Sequence, residues 1–239
     1  PFAVGSSAQS AMHWKGTVSR APQPAASTTG MPNALPATGA SVSDAFDVLR
    51  FEAVANQLVA NGRIPGLAMA IVKDGRILSA RGYGVTDARN PQPVDAHTVF
   101  RLASLSKSFA GTVTGMLVND GVLRWDSHLT DYVPEFRLSL PNAAQQVTVA
   151  DVLSHRVGLT HNAFDRDLEG NADYHTLAMK LASAPMKCAP GECYASQNVA
   201  FSLIGDVVFA ATGSFYDQAV DRRIFKPLGM NDASIGLTG

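Results

Sequence analysis

Ser104 and Lys107 stand three residues apart in Ala103-Ser104-Leu105-Ser106-Lys107, directly ahead of a long apolar run. On a helix that spacing puts both side chains on one face, so the Lys107 amine can come within reach of Ser104 Oγ. A hydroxyl with an amine at hydrogen-bond distance is an activated nucleophile for acyl transfer, and a helix N-terminus offers positive potential to the developing oxyanion. Read alone, the same spacing also fits a helix-capping serine and a solvated lysine, because a chain of this length holds roughly one Ser-x-x-Lys by chance. The surrounding sequence has to decide between the two.

Other chemistries have less behind them. His155 and His161 invite a Ser-His-Asp triad, but there is no Gly-x-Ser-x-Gly elbow, and His155 falls inside an apolar helical segment where a structural histidine is expected. No His-Glu-x-x-His or Cys/His array is present, so no metal and no other cofactor is expected. Asp74, Asp126 and Asp131 read as turn or surface carboxylates, and Trp125 as a loop-packing residue. Gly82-Tyr83-Gly84 ends a strand without opening a helix and lacks the third glycine of a dinucleotide site.

The elements that must position the serine and lysine begin after a stretch rich in Ala, Ser, Pro, Thr and Gly. Residues 1–42 show no sustained period and read as a leader or linker, with Phe2, Met12 and Trp14 as the exceptions that could dock on the body. From Ser43 the pattern turns helical, with Phe51, Val54, Ala55 and Leu58 on one core face and Gly62 as the stop. Two strands, Gly66 to Val72 and Arg76 to Val85, are joined through Asp74-Gly75, a strong hairpin signal. The nucleophile helix then runs through Val113, Met116 and Leu117 to Gly121. A further helix spans Thr148 to about His155, opened by a Thr148-x-x-Asp151 capping box and stopped at Gly158. Two more follow, Asn198 to Ala211 and Ser214 to Phe225, the second ending before Pro227.

The whole chain has 239 residues, 46% hydrophobic and 16% charged, with a net charge of -1 and a pI near 6.7. That composition supports a sizeable core and gives no basic footprint for nucleic acid, and no run reaches the length of a membrane span. Cys188 and Cys193 bracket Ala-Pro-Gly-Glu, a turn that could bring them together. Both a disulfide and two small half-buried thiols remain open.

Five segments together resemble the serine β-lactamase and penicillin-binding (DD-peptidase) family in its class C-like branch. They are Ile64-Pro65-Gly66-Leu67-Ala68, Phe100 to Lys107, Val149 to His155 with Gly158-Leu159, Pro190 to Asn198, and Pro227-Leu228-Gly229-Met230, in an order that matches the family from about residue 44 to 239. The resemblance implies an α+β fold, an antiparallel sheet flanked by helices plus a mainly helical domain. It divides the chain into a leader over 1–42, the first part of the sheet domain over 43–100, and the helical domain over 101–239. It implies Ser104 as the acylated nucleophile, Lys107 as its proton partner and Tyr194 as the first residue of the second motif, usually Tyr-x-Asn. That motif reads Tyr194-Ala195-Ser196 here, so Ser196, a shorter hydroxyl, stands in place of the amide on the substrate side. Asn198, two residues on, is a further substrate-binding candidate that caps or packs the following helix. Either neutral Lys107 or the Tyr194 phenolate would take the Ser104 proton, and the substrate would be a β-lactam, a D-amino-acid peptide, or a small ester or amide.

The family's third motif, Lys-Thr-Gly or His-x-Gly, does not occur after Met230. The resemblance therefore implies that the C-terminal strands are lacking here and that a separate C-terminal fragment or second chain would complete the sheet, whose edges would otherwise be open. It also implies a periplasmic or secreted bacterial location. A catalytically silent β-lactam or peptide sensor is the alternative from outside enzymes.

Overall fold

The computed structural model describes residues 47–236, which form two compact units divided in the chain between Thr98 and Val99. The leader read over 1–42, with Phe2, Met12 and Trp14, and the helix start at Ser43 lie outside the described residues.

In the first unit, helix α1 (Val48–Ala60) starts where the Asp47 carboxylate accepts from the Arg50 amide. Strands β1 (Gly66–Lys73) and β2 (Arg76–Gly84) pair antiparallel in a two-stranded sheet, with a register shift between Ile71 and Val72. Asp74 and Gly75 carry φ of 52° and 72°, the pair of left-handed residues a tight two-residue hairpin needs. Gly82 serves packing rather than phosphate binding: a Cβ there would run into the Val94 carbonyl. The buried side of α1 is not the apolar face expected from the sequence. Ala55 is buried, but so is Glu52, which accepts from Ser79 Oγ at 2.5 Å and pairs with Arg81 at 3.2 Å, whereas Phe51, Val54 and Leu58 remain exposed. A two-stranded hairpin covers only one flank of a helix, and hydrogen bonding to Glu52 selects which.

The second unit is helical. Helix α2 (Lys107–Asn119) buries Ala110, Val113 and Leu117, and a 3-10 turn at Ala103–Ser106 leads into it, so Ser104 precedes the α-helix instead of opening it. Helix α3 (Val149–Leu153) carries the expected capping box between Thr148 and Asp151. It stops earlier than expected: His155 lies beyond its end with φ of 58°, so this residue is not inside an apolar helix. Helices α4 (Asp165–Glu169) and α5 (Tyr174–Lys180) follow, both too short to show a hydrophobic period in sequence. Helix α6 (Asn198–Thr212) is the hub of the core. Val199, Leu203, Ile204 and Val207 are fully buried among Val113, Leu117, Leu159, Leu177 and Leu181, and Gly213, with φ of 70°, ends it. Helix α7 (Tyr216–Val220) continues into a π-type turn at Asp221–Phe225. Cys188 and Cys193 are joined as a disulfide. Among the described residues no single helix is long and apolar enough to cross a bilayer.

Candidate active site

The chain reverses sharply ahead of α2. Ala103, with φ of 48°, throws the backbone into the 3-10 turn that exposes Ser104 and leaves Lys107 half-buried on the same side. Lys107 Nζ donates to Ser104 Oγ at 3.1 Å. The spacing of three residues therefore does in this turn what it would do in a helix.

The second anchor of the lysine comes from 91 residues further along the chain. Asn198, the first residue of α6 and buried, accepts from Lys107 Nζ through Oδ1 at 2.7 Å, and its Nδ2 donates to Asp165 Oδ2 at 2.8 Å. The ammonium also sits 5.4 Å from the centre of the Phe201 ring, one turn along α6. Burial pushes the Lys107 amine below the ordinary lysine range, and the Asp165 charge opposes that shift. Burial thus favours the neutral form of the amine, the form that can take up a proton, more than in an exposed lysine.

The strand of chain that delivers Asn198 is held on several sides. The Ala195 amide donates to the His155 carbonyl at 3.0 Å, and the Gln197 amide donates to His155 Nδ1 at 3.2 Å. The Gln197 side chain donates to the Thr160 carbonyl, and the Asn162 amide donates to the Ser196 carbonyl at 2.8 Å. Upstream, the Gly191 amide donates to the Arg156 carbonyl at 2.8 Å inside the disulfide loop. The His155 ring stacks on Phe201 at 5.1 Å, and burial followed by the Lys107 charge pushes its imidazole below the usual range. With Nδ1 accepting from a backbone amide, His155 is a structural histidine, although a left-handed loop holds it and not a helix. His161 faces Asn162, 2.9 Å away.

Three further candidates, Tyr194, Ser196 and Asn198, stand differently toward the lysine. Tyr194 lies 66% exposed with its ring edge-on to His155 at 5.9 Å, and it makes no hydrogen bond to Ser104 or Lys107 among the described residues. Ser196 is half-buried and likewise makes no hydrogen bond to Lys107, so it does not substitute for an amide on the lysine. Asn198 does not cap α6 through its side chain, which is committed to Lys107 and Asp165. Sequence reasoning missed Asp165 altogether, because nothing in Phe164-Asp165-Arg166 marks a carboxylate that will be buried beside a residue 33 positions away. The signal that could have placed Asn198 was its position as the first residue of an apolar helix, where a side chain projects back toward whatever precedes the helix. Among the described residues no cluster of His, Cys, Asp and Glu is arranged to hold a metal ion.

Comparison with known proteins bears on this arrangement as a whole. The Beta-lactamase family model matches residues 51–239. Esterase EstB of Burkholderia gladioli is 32% identical over 210 residues, covering 82% of this chain and 53% of that protein. The octameric penicillin-binding protein homologue from Pyrococcus abyssi shares the fold, with a TM-score of 0.69 at 24% identity over 78% of this chain and 44% of that one. A class C β-lactamase structure gives a TM-score of 0.65 at 26% identity over 77% and 51%. The chain thus spans about half the length, or less, of the curated relatives it matches. With an α+β fold shared with these structures and a family match over most of its length, the chain belongs to the β-lactamase family.

Proposed function

We propose that this protein is a serine hydrolase that works through an acyl-enzyme at Ser104, with Lys107 as the base. The observation that carries the reading is the amine of Lys107, half-buried and shared between Ser104 Oγ at 3.1 Å and Asn198 Oδ1 at 2.7 Å. In its neutral form Lys107 takes the hydroxyl proton as Oγ bonds to the acyl carbon. Collapse of the tetrahedral intermediate breaks the bond to the leaving group, which departs with that proton, and water then hydrolyses the Ser104 ester.

The second motif shifts by register in this reading. Because the amide on the lysine is that of Asn198, the Tyr-x-Asn pattern of the family falls on Ser196-Gln197-Asn198, with Ser196 where the tyrosine is usual and Tyr194 outside the proton path. The Asn198 amide nitrogen gives one hydrogen to Asp165, and the other is available to a substrate carbonyl. Ser196 lines the substrate side with a hydroxyl of shorter reach.

A small ester or amide is the favoured substrate. Ser196 offers only a short hydroxyl where the family pattern carries a tyrosine, and the relative that is 32% identical over 82% of this chain is named an esterase. The Cys188–Cys193 disulfide fits an oxidising compartment, the periplasm or cell exterior.

The test is intact-mass analysis after a fluorophosphonate, with peptide mapping, alongside turnover of a short-chain nitrophenyl ester and a chromogenic cephalosporin. A single adduct on Ser104, lost in Ser104→Ala, with ester turnover exceeding cephalosporin turnover, is expected. Hydrolysis unchanged in Ser104→Ala would sink the assignment. A stable adduct with no turnover of either substrate would favour a sensor.

A further inference from the structure

Asp165 is a carboxylate that the acyl-transfer step does not use, yet it is only 9% exposed. Its Oδ2 accepts from Asn198 Nδ2 at 2.8 Å, and its Oδ1 finds no donor among the described residues. Burying a half-satisfied carboxylate is costly, so something must hold it there. Two left-handed residues do the placing, Asn162 with φ of 51° and Phe164 with φ of 63°, the second directly before Asp165 at the start of α4. The Asn162 side-chain amide completes the arrangement when its nitrogen faces the Ser196 carbonyl at 3.3 Å and Asp165 Oδ2 at 3.2 Å, with its oxygen toward His161. The loop carrying Asp165 is thereby tied to the segment carrying Asn198.

The consequence lies in the symmetry of an amide. Turning the Asn198 amide by half a rotation exchanges its oxygen and nitrogen at almost no steric cost, and the nitrogen would then face the Lys107 ammonium, donor against donor. A carboxylate only accepts, so a carboxylate on the far side of Asn198 tolerates one orientation, the one with Oδ1 toward the lysine. We propose that Asp165 is a positioning residue of the active site: it locks the Asn198 amide so that its oxygen holds Lys107 against Ser104. This rests on the reading of Ser104 and Lys107 as the nucleophile and base. The charged and titratable groups around Asp165 are Lys107, His161 and Glu169. Burial raises its carboxyl above the ordinary range, the Asn198 hydrogen bond opposes this, Glu169 adds to it, and Lys107 and His161 oppose it.

The experiment compares fluorophosphonate labelling of Ser104 against pH in the wild type, Asp165→Asn and Asp165→Glu, with Asp167→Asn, a surface partner of Lys180, as control. An asparagine at 165 can turn either face to Asn198 and so no longer selects its orientation. The plateau rate in Asp165→Asn should fall about ten- to a hundredfold, the range a hydrogen bond to a charged group carries. Its acid limb should move to lower pH, because the charge that favours the protonated lysine is gone. A glutamate keeps an acceptor-only group and should recover part of the plateau. A merely structural aspartate would lower the amount of folded protein without moving the limb. A plateau within about twofold of wild type in a folded Asp165→Asn protein would overturn the proposal.

Should Asp165→Asn not fold, the wild type decides by NMR: the Asn198 side-chain amide resonances must titrate together with the Asp165 carboxyl carbon and the Lys107 Cε. Independent titration overturns the proposal. These resonances read the locking without any labelling, so an unlabelled Ser104 in the wild type would count against the hydrolase reading and leave this readout intact.

Discussion

Substituting Asn198 by alanine and Tyr194 by phenylalanine separates the two registers of the second motif. Asn198→Ala deletes the 2.7 Å contact to the lysine and strips Asp165 Oδ2 of its 2.8 Å donor. A hydrogen bond to a charged group contributes about 1.5–3 kcal/mol, and if the loss falls on the transition state the rate drops about ten- to a hundredfold. Asp165 then lies buried with neither oxygen bonded to Asn198, so the protein should also melt at lower temperature. Tyr194→Phe removes a hydroxyl from a ring that is 66% exposed and bonded to neither Ser104 nor Lys107, so labelling should change by less than about twofold. The assay is the second-order rate of Ser104 modification by a fluorophosphonate, followed by mass, on variants whose folded fraction has been matched by thermal melting. A Tyr194→Phe protein as slow as Lys107→Ala, with Asn198→Ala near wild type, would refute the assignment of the amide to Asn198 and return Tyr194 to the proton path.

Three other outcomes follow from the same geometry. Labelling of Ser104 should rise with pH through an acid limb that lies below that of an exposed lysine, since burial disfavours the charged form of Lys107, and a limb at the free-lysine value would contradict this. Reducing Cys188–Cys193, which closes a loop of separation 5, should lower stability by about 2 kcal/mol and slow labelling, because the loop leads directly into residues 194–198. A reduced protein with an unchanged melting temperature would count against a stabilising disulfide. Burial raises the Asp206 carboxyl, opposed by the Tyr174 hydroxyl at 2.9 Å and by His175, and reinforced by Glu135. The folded state then keeps a proton that the unfolded chain has released, so stability should fall as pH rises from the ordinary carboxylate range through the folded value. Asp206→Asn should flatten that slope in denaturant titrations across pH.

Much of the architecture was legible because it depends on neighbours in the chain. The Asp74-Gly75 turn and the Thr148 and Asp151 capping box are both set by contacts within a few residues, and both are readable from the sequence. Helices α4 and α5 were not legible, since five and seven residues are too few to display a period. The buried face of α1 was misread for a different reason. Its apolar residues suggested a core face, while the hairpin recruited Glu52 through Ser79 and Arg81.

The active site divides along the same line. Sequence by itself determined the Ser104 and Lys107 pair, because an interval of three residues brings two side chains together whether the turn is 3-10 or α. Only the tertiary structure decided what stands on the other side of the lysine. Asn198 lies 91 residues from Lys107 and 33 from Asp165, and chemistry at such separations is set by how α6 and the loop before α4 pack, not by any local spacing. Side-chain type alone could not choose between Ser196 and Asn198, since both can bond an amine. The helix start that points Asn198 toward Lys107 made the choice.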